Sequence, residues 1–197
     1  MEDILDYIKT FSHQVETWDS KFISRGIELG YHDRKAKRLE QSQLNTSLTA
    51  MGVNRAMKRR TRWQVELDPE NNHSVDATDL QGKSGYFVGI MKRKNGTEDI
   101  DVNDMNNINM EGSHFLDCIT GKVYSGGQCI EYFDQSVMTA GAVIDILLDK
   151  EYGTIQWVVN GMMADDGILS RPALKNQASY FTAVMMKDEI EVMIINP

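Results

Sequence analysis

Cysteine and histidine are scarce in this chain, and it has neither a long apolar run nor a basic leader. Its two cysteines, Cys118 and Cys129, allow one bridge at most, which excludes a disulfide-stapled scaffold. We read both as free thiols of a reducing compartment. The four histidines, His13, His32, His73 and His114, lack the spacing of metal ligands. Cys118 and His114 lie on a strand-like segment, where they would not form an oriented dyad. No phosphate-cradling loop and no dinucleotide fingerprint is present. The acidic run Glu98-Asp99-Ile100-Asp101-Val102-Asn103-Asp104 lacks the glycine and closing glutamate of a calcium loop, so it reads as solvated. The expectation is therefore a non-enzyme with no cofactor and no metal.

No apolar stretch reaches the roughly 18 residues of a membrane span. The opening Met1-Glu2-Asp3-Ile4-Leu5-Asp6 is acidic where a secretory signal is basic and then apolar. We therefore expect a cytoplasmic protein, with cytoskeletal or nuclear placement as variants, and neither secretion nor membrane attachment. The Asn-x-Ser/Thr triplets at Asn45, Asn72 and Asn95 then carry no sugar.

Charge is present, and it is unevenly spread. The net charge of −8 divides into −3 over residues 1–30, +7 over 31–62 and −12 over 63–197. This reads as an acidic head, a basic connector and an acidic body, with a domain division at residues 62 and 63.

Within the head, Ile4, Ile8, Phe11, Val15, Trp18 and Phe22 alternate at spacings of four and three. That spacing predicts an amphipathic helix of about six turns with one apolar stripe. The stripe either packs back onto the body or meets another chain. A second, weaker helix is expected from Asp33 to Met51, with Leu39, Leu44 and Leu48 as its apolar points. The basic group Arg55, Lys58, Arg59, Arg60 and Arg62 follows. It serves either as a solvated connector beside the acidic domain or as a contact for something acidic. The absence of interleaved aromatics disfavours nucleic acid.

From Trp63 onward the texture becomes short strands and turns. Trp63–Leu67 alternates with period two, Tyr86–Met91 is an apolar run, and Phe115–Cys118 leads into the turn before Val123-Tyr124. Ala142–Leu148 and Thr154–Val159, joined by Asp149-Lys150-Glu151-Tyr152-Gly153, form a hairpin that ends at Asn160-Gly161. Tyr180–Met186 and Glu189–Ile195 close the series. Many short strands without intervening helices predict an antiparallel β-sandwich.

The hairpin from Gly141 to Gly161 resembles the signature of the SPRY domain family. Gly141, Val143, Ile144, Leu148, Asp149, Gly153, Thr154, Ile155, Trp157, Asn160 and Gly161 fit its pattern. Gly89, the stretch Ser113–Asp117, the Gly121-Lys122-Val123-Tyr124 turn and the segment from Arg171 to Val192 match more weakly but in order. The resemblance covers about residues 63–197, so residues 1–62 are expected to be a helical extension foreign to the family. Two positions depart from it: Ala142 replaces an aspartate and Asp145 a glycine. A carboxylate in an apolar strand belongs on the outer face of the sheet, and Trp157 belongs in the core beside Ile155 and Val159.

The resemblance implies a rigid scaffold that grips proteins through loops at one end. Carried over by position, that surface takes in the loop Lys92–Met110, with Lys92, Arg93 and Met110, and the loop near Met185, Met186 and Lys187. The methionines either make adaptable contacts or simply fill core space. The expected function is an adaptor or structural subunit of a multi-subunit protein complex. A substrate receptor for a ubiquitin ligase and a nucleic-acid-associated subunit are the alternatives.

Overall fold

The computed structural model describes residues 2–39, 48–56, 58–67, 86–93, 111–132, 141–170, 174–175, 180–186 and 191–196. A short helix, α1 (Glu2–Lys9), precedes the strands β1 (Ser12–His13), β2 (Trp18–Ile23), β3 (Ile27–Gly30), β4 (Lys35–Arg38) and β5 (Leu48–Arg55). Then come β6 (Arg60–Leu67), β7 (Tyr86–Lys92), β8 (Ser113–Asp117), β9 (Lys122–Ser125) and β10 (Gln128–Tyr132). The last are β11 (Val143–Asp149), β12 (Thr154–Val159), β13 (Met162–Ser170), β14 (Tyr180–Met186) and β15 (Glu191–Ile194). One sheet runs β13-β12-β11-β6-β15-β4-β3, with β1 laid parallel to β6; the other runs β10-β9-β8-β7-β14-β5-β2. The protein is an antiparallel β-sandwich with a minor helix at its head.

Period-two alternation decides what lies between the sheets. Ile144, Ile146 and Leu148 of β11 enter one buried cluster with Tyr86, Val88 and Ile90 of β7. Ile155, Trp157 and Val159 join them, as the shared strand face requires. The Trp157 indole Nε1 donates to the Val88 carbonyl oxygen at 3.0 Å, a bond from one sheet to the other. Opposite-facing residues build two outer clusters. Leu147 and Val158 pack under Ile8 and Phe11 on one side of the sandwich. Met51, Phe87, Met91, Phe115, Phe181, Ala183 and Met185 gather on the other.

The signature hairpin folds as the sequence predicts. β11 and β12 pair from Ile144↔Val159 to Asp149↔Thr154. Asp149 organises the turn: one carboxylate oxygen accepts from the Glu151 and Tyr152 amides, and the other accepts from Arg60 Nε at 2.7 Å. Asn160 and Gly161 both take positive φ, 50° and 79°, which fits a two-residue turn. The Asn160 side chain also accepts from the Val143 amide. Asp145 lies on the outer face, as its neighbours demand, yet it is only 5% exposed. Arg62 Nε at 2.7 Å and Gln64 Nε2 at 3.1 Å bind its carboxylate. Burial pushes the Asp145 carboxyl above its usual range, and the Arg62 guanidinium opposes that rise.

The head differs from the sequence prediction. Helix α1 stops at Lys9, where the Thr10 and Phe11 amides bond only three residues back, to Tyr7 and Ile8. The six stripe residues therefore separate. Ile4, Ile8 and Phe11 pack on the outer face of the first sheet, so there the stripe does turn onto its own domain. Val15 is exposed, Trp18 is deep in the central core, and Phe22 packs on the second outer cluster. From Thr10 to Ser20 the residues are largely β-branched, aromatic, serine or aspartate, all weak helix formers. The sheets meanwhile offer open edges, and Ser12–His13 and Trp18–Ile23 take them. The helix expected over Asp33–Met51 is likewise replaced by β4 and the start of β5, with residues 40–47 outside the described set. Since β1 to β6 serve both sheets, residues 1–62 are neither an extension nor a connector, and no fold boundary falls at residue 62.

The strap between β1 and β2 is held by Glu16, 1% exposed. Its carboxylate accepts from the Thr17 amide, the Asn54 amide and Asn54 Nδ2. The Asn196 side chain brackets the same residue, accepting from the Glu16 amide and donating to its carbonyl. Gly52 leaves the room required, because a Cβ there would sit 2.7 Å from the Glu16 carboxyl carbon. Burial without a cationic partner pushes the Glu16 carboxyl up to about 7 from 4.5.

Two predictions follow from this packing. Gly89 faces Phe115 across β7 and β8, and a Cβ there would overlap the His114 carbonyl oxygen. Gly89→Ala should cost at least about 3 kcal/mol in a urea titration, since only backbone movement relieves the clash. For Glu16, unfolded chains lose the proton near the ordinary value while folded chains keep it. Stability should therefore fall as pH rises from about 4.5 to about 7 and flatten beyond, by up to about 3 kcal/mol. Urea midpoints of Glu16→Gln, measured against the parent across that range, should lack this component.

Candidate interaction surface

Strand register gathers one end of the sandwich. Lys92, the last residue of β7, pairs with Tyr180, the first of β14, and Phe181 pairs with Arg55 at the end of β5. The Ala56 amide donates to the Tyr180 carbonyl. The turn into β6 then meets the signature hairpin: the Lys150 amide donates to the Arg59 carbonyl and Lys150 Nζ to the Ala56 carbonyl. Arg60 opens β6 opposite Asp149. Chain segments far apart in sequence thus gather Arg55, Lys58, Arg59 and Lys150 at one end of the sandwich, next to the start of β14.

These cations divide into two sets. Arg60 and Arg62 point onto the outer face of the first sheet, where Asp149 and Asp145 neutralise them. Arg55, Lys58 and Arg59 are exposed, and Arg59 lies 3.7 Å from a Glu151 oxygen. Burial lowers the Lys150 pKa, and the Arg55 charge lowers it further. The five basic residues of the sequence are thus partly internal structure and partly a rim.

Arg93 is held differently. Its guanidinium lies 3.3 Å from the Phe22 ring centre and 4.4 Å from that of Phe181, with Nη2 3.2 Å from an Asp19 oxygen. The planar group is stacked between two rings and anchored at its edge. No pattern in the sequence pairs Phe22, Phe181 and Asp19 with Arg93, since three separate strands bring them together. Glu16 was equally hidden as a lone acid among β-formers.

Lys92 and Met186, described residues of the two loops that the resemblance assigned to one surface, stand at opposite ends of the β7–β14 pair. Met186 pairs with Tyr86 at the start of β7, whereas Lys92 closes that strand, about 20 Å away along the sheet. Met185 belongs to the outer apolar cluster; Met186 lies in the central core, its carbonyl bound by Arg38. Met110, Lys187 and the acidic run at 98–104 lie outside the described residues. Among the described residues no three His, Cys, Asp or Glu side chains converge as a metal site, and no helix is long and apolar enough to cross a membrane.

Similarity to solved structures decides the fold. Over 91% of this chain and 97% of the other, the protein superposes on the SPRY domain of human HERC1 with a TM-score of 0.63 at 14% identity. The PSpry domain of TRIM65 matches over the full length of both chains, with a TM-score of 0.67 at 14% identity. This is a SPRY fold. Stonustoxin contains a similar region, with a TM-score of 0.63 and 10% identity, covering 95% of this chain and 28% of that one. No protein-family model and no curated protein sequence matches. The SPRY fold here takes in the N-terminal strands as well as the body, which widens the span expected from the hairpin.

Replacing Arg93 by lysine retains the charge but removes the planar group from between its rings. Arg93→Lys should destabilise the protein by about 1–2 kcal/mol, visible as a lower melting temperature. Phe22→Leu in the Arg93→Lys background should cost less than Phe22→Leu alone.

Proposed function

We propose that this SPRY-fold chain is a non-catalytic protein-interaction module, working as an adaptor or structural subunit of a multi-subunit assembly. The observation that carries the reading is the end of the sandwich where β7, β14, β5 and β6 meet. There a basic rim and a stacked arginine stand on strands locked by backbone pairing. Recognition surfaces of this kind work because a rigid scaffold fixes side chains that loops alone would leave variable. The stacked guanidinium is already ordered, so a partner that contacts it spends little entropy on that side chain. SPRY folds in known proteins provide the same kind of scaffold. The fate of α1 narrows the surface further: its apolar stripe covers Leu147 and Val158, so the contact for a partner lies with the rim.

Site-specific photo-crosslinking tests this. A crosslinker at Lys92 should capture a small, reproducible set of proteins in cells, while one at exposed Glu28 on β3 should not. Labelling of nucleic acid alone from Lys92, or the same products from both positions, would refute the module.

A further inference from the structure

We infer that the cleft between the Gln14–Thr17 strap and the β5–β6 turn docks an acidic segment of a partner protein that also carries a small apolar side chain. The inference rests on the module reading and adds the chemistry of the partner. The cleft is open, about 300 Å3 in volume, and lined by Ser12, His13, Gln14, Val15, Asn54 and Lys58.

Its walls are fixed from both sides. The Gln14 amide donates to the Arg62 carbonyl, and its side-chain Nε2 reaches the carbonyls of Asn54 and Arg55. The Val53 amide donates to the Thr17 carbonyl. One apolar side chain of the lining, Val15, nevertheless remains in water at 64% exposure, and Val53, next to Asn54 in sequence, is 45% exposed. Exposed β-branched residues on rigid backbone lose little further freedom when a partner covers them.

Charge selects the partner. Arg55 and Lys58 are exposed, and neither forms an ion pair with a described carboxylate. The acids nearby are already engaged: Glu16 faces inward onto amides, while Arg62 holds Asp145 and Arg60 holds Asp149. Burial and the neighbouring Arg62 keep His13 below its ordinary pKa, so the cleft draws its charge from Lys58 in its lining, with Arg55 next to the lining residue Asn54 in sequence. The chain as a whole carries −8, so an acidic ligand is drawn to this locally cationic end in preference to the chain's net negative charge. Two exposed cations release few counterions from a nucleic-acid backbone, and among the described residues no Phe, Tyr or Trp lines the cleft to stack a base.

The test uses the intact chain and fluorescein-labelled synthetic peptides, read by anisotropy. An Asp/Glu-rich peptide containing alanines and valines should bind saturably. Its Asn/Gln counterpart and a labelled single-stranded oligonucleotide should bind at least about tenfold more weakly, a difference of about 1.4 kcal/mol. Arg55→Glu/Lys58→Glu should remove a similar factor, and Val15→Asp should weaken binding as well. Lys21→Glu, which changes net charge elsewhere, should leave it intact. Circular dichroism establishes that each variant is folded. Equal binding of the neutral peptide, retention by the double variant, tighter binding of the oligonucleotide or no saturable binding would each overturn the inference. If crosslinks from Lys92 persist through such a failure, only the acidic-partner assignment falls; if they vanish too, the module reading falls with it.

Discussion

The pairing of β6 with β11 sets the terms for the rest of the molecule. Seven residue pairs join them, from Val143↔Glu66 to Asp149↔Arg60. Ile144, Ile146, Leu148, Trp63, Val65 and Leu67 face the other sheet, while Arg60, Arg62, Asp145 and Asp149 face outward beside Leu147. A slip of one residue would turn those charges into the core and the isoleucines out, so the register has no near competitor. The ion pairs add specificity more than energy, because each charge gives up water before it gains a partner. They also engage two arginines, and so decide which basic residues are left without an ion pair to these strands.

The other edge of β6 is divided between β1 and β15. The chain must therefore leave β1, cross the end of the sandwich and enter the opposite sheet as β2 within four residues. Such a crossing exposes backbone donors that water cannot easily reach, and Glu16 satisfies them with a carboxylate. The solution has a cost, since an unpaired buried carboxylate resists ionisation. The same crossing leaves Val15 turned outward at the rim, so the cleft arises from the way the two sheets are joined.

How much of this was legible depended on the range of the contacts involved. The hairpin was readable because its determinants are local: Asp149, Gly153, Asn160 and Gly161 act within a few residues of themselves. The outward placement of Asp145 followed from alternation alone. The head departs from its pattern because four-three spacing also arises when successive residues are sent to different surfaces. Ile8 and Phe11 went to one sheet, Trp18 to the core and Phe22 to the other sheet. Weak helix formers after Thr10 carried a signal, but the deciding factor was the unpaired edges of β5 and β6, which no local window contains. The basic cluster was seen as a unit, and only cross-strand register reveals that Arg60 and Arg62 belong to the framework. Met185 and Met186, adjacent in sequence, went to opposite faces of one strand.

Because the Glu16 carboxyl keeps its hydrogen inside the folded body, folding is also a chemical exchange with the medium. Near pH 6 the extended chain has surrendered that hydrogen ion, and collapse must recover one from the surrounding buffer. The heat of the transition then includes the ionisation enthalpy of whichever buffer supplied it. Calorimetric enthalpies for this protein acquire meaning only when buffers of different ionisation heat are compared.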